Sequence, residues 1–237
     1  MQALRTHPSL QRIAKVLPKG AELFVVGGAV RDAILGRPIT DLDLLVRGIP
    51  MNELTEALQS LGEVDASGVQ WGVLGLTLDG QRIDIALPRE ETSKKGDGHY
   101  FDVQVTADPN LPIEIDLRRR DFTINAMALN VQTGELVDPF HGQVDVKHKT
   151  LRTVGNPVTR FTQDHSRILR CLRFATQLGF AIEPITWEGL RTVVRQVGQL
   201  KVPKRIWEQE FAKAEVHLHT YHEWLRKAGI ETHHVGT

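Results

Sequence analysis

Apolar and polar positions along the chain change period several times, and each change marks an element. Residues 1–19 set Leu4, Leu10, Ile13, Val16 and Leu17 at helical spacing and stop at Pro18-Lys19-Gly20, which predicts a short leading helix covering one side of the core. Glu22-Leu-Phe-Val-Val26 is a compact β-rich run ending at Gly27-Gly28, and Ala29–Leu35 resumes helical spacing as far as Gly36. The local reading is strand, glycine turn, helix. After Pro38, Asp41-Leu-Asp-Leu-Leu-Val46 alternates acid and aliphatic residues before turning apolar, and Glu53–Leu61 returns to helical periodicity. Trp71–Leu78 and Arg82–Leu87 read as two strands joined by Asp79-Gly80, a dipeptide suited to the positive φ of a tight hairpin.

Residues 88–112 are polar, rich in Gly, Pro, Asp and Lys and poor in apolar groups, which predicts a mobile functional loop. Beyond them the pattern turns helical. Asp121–Leu129 is expected as a helix, Gly134–Asp138 as a short strand, and Asp164–Leu178 and Trp187–Val197 as helices with no strand between them. An α-helical module is therefore expected from near residue 150, and no internal repeat or low-complexity tract interrupts the chain.

Composition adds limits. A chain of 237 residues can bury a substantial core, and two modules are expected rather than one. Its 29 Lys+Arg balance 29 Asp+Glu, so affinity for a polyanion such as RNA must come from local basic patches. The single cysteine, Cys171, has no internal partner and lies in an apolar-periodic stretch, which predicts a buried, inert thiol. With neither a signal pattern nor a membrane-length apolar run, a soluble cytoplasmic protein without a membrane partner is expected.

The candidate chemistry begins at Asp41-Leu42-Asp43. In a strand, side chains two residues apart share a face, so both carboxylates converge while Leu42 and Leu44 enter the core. Paired acids repel unless a cation lies between them. Hard oxygen donors suit Mg²⁺, and a pair of ions about 3.5–4 Å apart activates an attacking hydroxyl and stabilises departing pyrophosphate. Asp-x-Asp alone is more simply a strand end with two solvated acids. Asp84, in Arg82-Ile-Asp-Ile-Ala, sits between two isoleucines on the next predicted strand and can bring a third carboxylate; an edge Asp fits that position equally well. Gly27-Gly28 lets the backbone approach a triphosphate at a helix start, and Arg31 one turn later adds a charge-assisted donor. The pattern is neither a P-loop nor a dinucleotide fingerprint.

Taken together, Gly27-Gly-Ala-Val-Arg-Asp32, eight intervening residues and Asp41-Leu-Asp43 resemble the active-site signature of the polymerase-β-type nucleotidyltransferases. More narrowly, they resemble the bacterial class II group that contains tRNA CCA-adding enzymes and poly(A) polymerase I. Asp116-Leu-Arg-Arg-Arg-Asp-Phe-Thr-Ile-Asn-Ala-Met127 looks like that group's second motif, which implies that Arg120 contacts nucleotide. Asp121 with Thr123 can instead cap a helix, but three successive arginines suit a phosphate-facing surface. Asp138-Pro-Phe-His-Gly142 resembles the link from catalytic head to neck, and His141, without a partner at i+3 or i+4, reads as a loop histidine.

Phe161-Thr-Gln-Asp-His-Ser-Arg-Ile-Leu-Arg-Cys-Leu-Arg-Phe174 is similar to the group's base-selecting helix. The resemblance implies that Asp164 and Arg167, i,i+3 neighbours, read the Watson–Crick edges of incoming CTP or ATP. Arg170 and Arg173 continue that row as a cationic stripe toward triphosphate or primer. Gln163 stands where the group commonly has Glu, which removes a charge and keeps an acceptor. Lys201–Lys213 only loosely resembles the helix that supports the selector and reads as structural.

The resemblance implies an α+β fold: a polymerase-β-like nucleotidyltransferase head with a mixed β-sheet over residues 1–148, then a small all-α neck over 149–237, without the group's body and tail domains. It assigns catalysis to Asp41, Asp43 and Asp84, metal binding to Asp41 and Asp43, and nucleotide binding to Gly28, Arg31, Arg120, Asp164, Arg167, Arg170 and Arg173. Mg²⁺ is the implied cofactor, with tRNA or another RNA 3′ end, CTP and ATP as partners. The expected activity is template-independent CCA addition to tRNA with pyrophosphate release. Poly(A) addition and a truncated, non-catalytic RNA-binding relative are the alternatives. The late histidines, His217, His219, His222, His233 and His234, fit no compact metal site and read as a solvated helix and tail.

Overall fold

The computed structural model describes residues 1–93 and 103–231. It contains two compact units: one of Met1–Glu91 with Val105–Val146, the other, among the described residues, of 92–93, 103–104 and 147–231.

In the first unit the leading helix is two pieces, α1 (Gln2–Arg5) and α2 (Pro8–Val16), because a proline starts a helix readily but cannot continue one. Leu4, Leu10 and Ile13 from these pieces are fully buried. There follow β1 (Glu22–Val26), α3 (Gly28–Ile34), β2 (Asp43–Arg47), α4 (Met51–Gln59), β3 (Glu63–Asp65), β4 (Val73–Leu78) and β5 (Gln81–Ala86). Next come β6 (Arg89–Ser93) and β7 (Val103–Ala107), each of which belongs in part to the second unit, then α5 (Ile113–Arg118), β8 (Ala128–Asn130), β9 (Leu136–Val137) and α6 (Gly142–Lys147).

Seven of these strands form one sheet in the order β3-β4-β5-β2-β1-β8-β9. The sheet is mixed: β2 and β5 run parallel and the other pairs antiparallel. The β4–β5 hairpin turns at Asp79 and Gly80 with φ of 51° and 78°, as the Asp-Gly signal predicts. Register pairing lines up one row across the whole sheet: Val137, Ala128, Val26, Asp43, Asp84, Gly75 and Asp65. Residues opposed in register point to the same face. At β5 that face is open, since Arg82 and Asp84 are exposed while Ile83 and Ile85 are buried.

Two expectations are corrected here. Asp121–Leu129 is no helix: a 3₁₀ turn at Thr123–Asn125 leads into β8. Every residue from Asp121 to Asn130 is buried, and a segment covered on all sides carries no period that separates helix from strand. The ends of the expected 88–112 loop are strands, β6 and β7, paired in a two-stranded sheet. The expectation of mobility falls on residues between them that lie outside the described ones.

The second unit comprises β10 (Thr150–Leu151), α7 (Pro157–Gln163), α8 (Ser166–Leu178), β11 (Ala181–Ile182), α9 (Pro184–Val197), α10 (Lys204–Ala214) and α11 (Leu218–Ala228). The region is helical as expected, but β11, paired in parallel with β10, corrects the expectation of no strand between α8 and α9; two-residue strands are too brief to leave an alternation. The core gathers on α8, where Leu169, Cys171 and Leu172 are fully buried and the Tyr221 hydroxyl from α11 donates to the Leu169 carbonyl at 3.3 Å. Phe211 of α10 meets Tyr221 edge-on at 5.2 Å between ring centroids. Among the described residues no helix is long and apolar enough to cross a membrane.

Asp138 joins α6 to the strand before it. Its carboxylate accepts from the amides of Gly142 (2.6 Å) and Gln143 (3.0 Å), across His141 at a φ of 59°. A Cβ at Gly142 would lie 2.3 Å from the Thr123 carbonyl oxygen, which is backbone and cannot yield cheaply. Gly142→Ala should therefore lower unfolding free energy by roughly 1–3 kcal/mol in urea denaturation; an unchanged midpoint contradicts this packing.

Candidate active site

The site begins where β1 stops. Gly27 leaves the strand at φ 72° and ψ −134°, a conformation open in practice to glycine alone. Its amide donates to the Met127 carbonyl at 3.3 Å, tying the turn to β8. A Cβ on Gly27 would meet Arg120 Nη1 at 3.0 Å and Asp43 Oδ2 at 3.5 Å. The missing side chain is thus flanked by an arginine and a carboxylate.

Asp43 opens β2, with Val26 on one side and Asp84 of β5 directly beside it on the other. Both acids are exposed. Arg82 Nε reaches Asp84 at 3.3 Å and its Nη1 reaches Asp65 at 3.0 Å. The Ser67 amide, the Ser67 hydroxyl and Arg82 together hold the Asp65 carboxyl down at about 2. Asp41 is placed differently from expectation: β2 starts at Asp43, so strand alternation does not set Asp41 on the same face. It sits exposed in the preceding segment, accepting from the Thr40 hydroxyl at 3.2 Å.

Among the described residues no group of three or more His, Cys, Asp or Glu is arranged to hold a metal ion. A carboxylate pair suffices for Mg²⁺, which usually takes one or two protein carboxylates and completes its shell with water and substrate phosphate. The Asp43–Asp84 pair has the donor chemistry and exposure that mode requires.

The arginines near this turn are held by acids and amides. Arg31 is buried, with Nε and Nη2 on the two Asp32 oxygens at 2.9 and 2.8 Å and Nη1 on Asn125 Oδ1 at 2.7 Å. Asn125 Nδ2 in turn donates to Asp121 Oδ1 at 3.3 Å, and that oxygen also accepts from the Phe122 amide. The expected row of phosphate-facing arginines is corrected: Arg118 alone of the three is exposed, whereas Arg119 and Arg120 both turn onto Asp116. Asp116 is fully buried; burial opposes its ionisation, but Arg120 and Arg119 outweigh that and hold its carboxyl below the ordinary value. Arg119 also binds Glu91 at 2.6 Å.

In the second unit, Asp164 lies between α7 and α8 with an extended backbone, and its carboxylate accepts from the Ser166 amide at 2.9 Å. Arg167 approaches Asp164 at 4.0 Å and donates to the Arg160 carbonyl at 3.1 Å. Gln163 Oε1 accepts from Arg160 at 2.8 Å and from Arg167 at 3.4 Å, so its neutral amide joins two cations. The expected exposed stripe breaks at Arg173, which is buried and ion-paired through Nε with Glu210 of α10. Arg170 is one-third exposed and 4.0 Å from the same glutamate. The i,i+3 spacing is as read, but a helix packed on two neighbours leaves little of that row open.

Residues 23–152 match the model of the poly(A) polymerase head domain. The chain belongs to this family. It is 36% identical over 194 residues to a CCA-adding enzyme of Oceanobacillus iheyensis, covering 81% of this chain and 46% of that enzyme. A CCA-adding enzyme of Streptococcus suis is 38% identical over 184 residues, covering 77% and 43%. Among solved structures, the Bacillus stearothermophilus CCA-adding enzyme in complex with CTP superimposes with a TM-score of 0.77 at 26% identity, over 96% of this chain and 53% of that one. The Thermotoga maritima CCA-adding enzyme complexed with tRNA gives 0.76 at 28%, over 95% and 52%. The chain therefore spans about half the length of the relatives it matches.

Within this poly(A) polymerase head-domain fold, the expected residues fall into two sets. Gly28, Arg31, Asp43, Asp84 and Arg120 lie in the first unit around the Gly27 turn, with Asp41 just before β2; Asp164, Arg167, Arg170 and Arg173 lie in the second. Sequence reading missed the supporting partners Asp32, Glu91, Asn125 and Glu210. Only Asp32 had a local signal, as the acid adjoining Arg31.

Asp116 supplies a prediction with a definite sign. Its folded-state value lies below the unfolded one of about 3.9, so its contribution is complete above that pH and is lost as pH falls through the folded value. Asp116→Asn should cost roughly 3–5 kcal/mol at pH 7, the range for breaking a buried pair, and the gap from wild type should shrink below about pH 4. Parallel stability curves from pH 7 to pH 3 would contradict the assignment.

Proposed function

We propose that the chain is the catalytic head and neck of a cytoplasmic RNA 3′-end nucleotidyltransferase that adds C and A to tRNA from CTP and ATP, releasing pyrophosphate. The observation that carries the reading is the Gly27 turn, with Asp43 and Arg120 against its missing Cβ and Asp84 in register beside Asp43. The CCA-adding names of the relatives and the CTP and tRNA in two neighbouring structures support the substrate class.

In this reading the backbone at Gly27 and Gly28 gives the triphosphate a close approach that any side chain would block. Arg120, fixed by Asp116, meets the triphosphate; Arg31, spent on Asp32 and Asn125, holds the start of α3 in place. Asp43, with Asp41 and Asp84, would hold Mg²⁺, which favours ionisation of the attacking 3′-hydroxyl and stabilises the departing pyrophosphate. Asp84, in register beside Asp43, would also take the hydroxyl proton. Asp164 and Arg167 read the base edge: one accepts and the other donates, which matches the exposed amines and acceptors of C and A. Asp164 is fixed by its bond to the Ser166 amide and Arg167 by Gln163, so neither has to be ordered on binding. Arg170 adds charge toward phosphate, and Arg173, paired with Glu210, fastens α8 to α10.

Poly(A) addition is the second reading, favoured by the family's poly(A) polymerase description. The test offers the full chain a tRNA lacking its terminal nucleotides and an unrelated RNA, with CTP and ATP separately and together in the presence of Mg²⁺. Addition of CCA confined to tRNA is expected; long ATP-only tails select the second reading. Asp43→Ala should abolish incorporation, and Arg167→Ala should erode the preference for CTP and ATP over UTP and GTP by roughly tenfold or more, given the ~1–3 kcal/mol of a good base contact. No incorporation by wild type, or full incorporation by Asp43→Ala, overturns the proposal.

A further inference from the structure

The row that carries Asp43 and Asp84 continues to Gly75 on β4 and Asp65 on β3, so three acids and a glycine share one face of the sheet. Arg82, two residues before Asp84 on β5, projects from that same face. Gly75 is what lets it cross: a Cβ there would lie 2.6 Å from Arg82 Nη2 and 2.7 Å from its Cζ. Lying over the glycine, the guanidinium spans both neighbours, donating to Asp65 Oδ2 at 3.0 Å and to Asp84 Oδ1 at 3.3 Å. Asp65 is a firm anchor, because the Ser67 amide also donates to it at 3.0 Å. The bond to Asp84 is the longer of the two and the easier to release.

We propose that Arg82 is a positioning residue that sets how tightly Asp84 engages a divalent cation, bridging Asp84 to Asp65 without the cation and retiring to Asp65 alone when it binds. The proposal rests on the reading of Asp43 and Asp84 as the cation-holding pair. A fixed positive charge on Asp84 competes directly with the metal, and the chain keeps room for that charge by leaving position 75 without a side chain.

The test titrates the full chain with Mn²⁺ and follows the free ion by electron paramagnetic resonance. Arg82→Ala is expected to tighten Mn²⁺ binding roughly two- to fivefold, the scale of an exposed ion pair. Net charge alone predicts the same direction, so two charge-conserving variants decide the matter. Gly75→Ala pushes the guanidinium off Asp84, and Arg82→Lys loses the fork that spans two acids; both should tighten binding in the same direction. Gly75→Ala should add nothing once Arg82→Ala is present, the signature of a shared mechanism. Wild-type affinity in both charge-conserving variants overturns the positioning role, even where Arg82→Ala tightens binding. Mn²⁺ binding that ignores Asp43→Asn overturns the underlying cation-pair reading, and the proposal with it.

Discussion

The arrangement depends on how the chain leaves β1. At Gly27 the backbone takes a conformation that only glycine accepts, at a point where an arginine and a carboxylate both lie against the absent Cβ. That turn fixes where β1 ends, and hence the register in which Val26 meets Asp43 and Asp43 meets Asp84. A slip of one residue would send both acids to the buried face and expose Leu44 and Ile85, an outcome that costs several kcal/mol for each ion left unpaired. The core thus specifies the site: the residues that cannot be exposed decide where those that must be exposed will stand.

Three buried charges are each answered within their own unit. Asp116 lies between Arg119 and Arg120, Arg31 between Asp32 and Asn125, and Arg173 against Glu210. An unanswered ion in such positions is far costlier than a pair is stabilising, so these contacts orient side chains more than they add stability. Arg120 reaches Gly27 with its direction set by an acid one helical turn earlier. Asp43 and Asp84, by contrast, stand exposed, with Arg82 reaching Asp84 at 3.3 Å.

Much of this was legible in the sequence where one local rule applied. The β1–glycine–α3 junction, the Asp79-Gly80 hairpin and the α8 and α9 helices each carry a period or turn chemistry of their own. β8 is hidden in the sequence because a run buried on all sides has no period, and β10 and β11 because two residues cannot show alternation. The spacing of Asp41 and Asp43 suggested one strand, but Pro38 and the polar residues after it delay β2 to Asp43. The helical row of Arg170 and Arg173 was legible; its burial was not, because Glu210 lies 37 residues beyond Arg173. The bond between Arg31 and Asn125 spans 94 residues, and no local pattern encodes such a partner.

The Gly27 turn and the sheet register set Asp43 beside Asp84, and the proposed role of that pair is to hold one cation. Substoichiometric Mn²⁺, followed through line broadening of backbone amides in two-dimensional NMR, reads out where a cation sits. The amides of Gly27, Asp43 and Asp84 should vanish first, with broadening declining strand by strand toward Val137 at the β9 edge. Broadening centred on His219 and His222 of α11, or spread evenly over the exposed acids, would contradict that role.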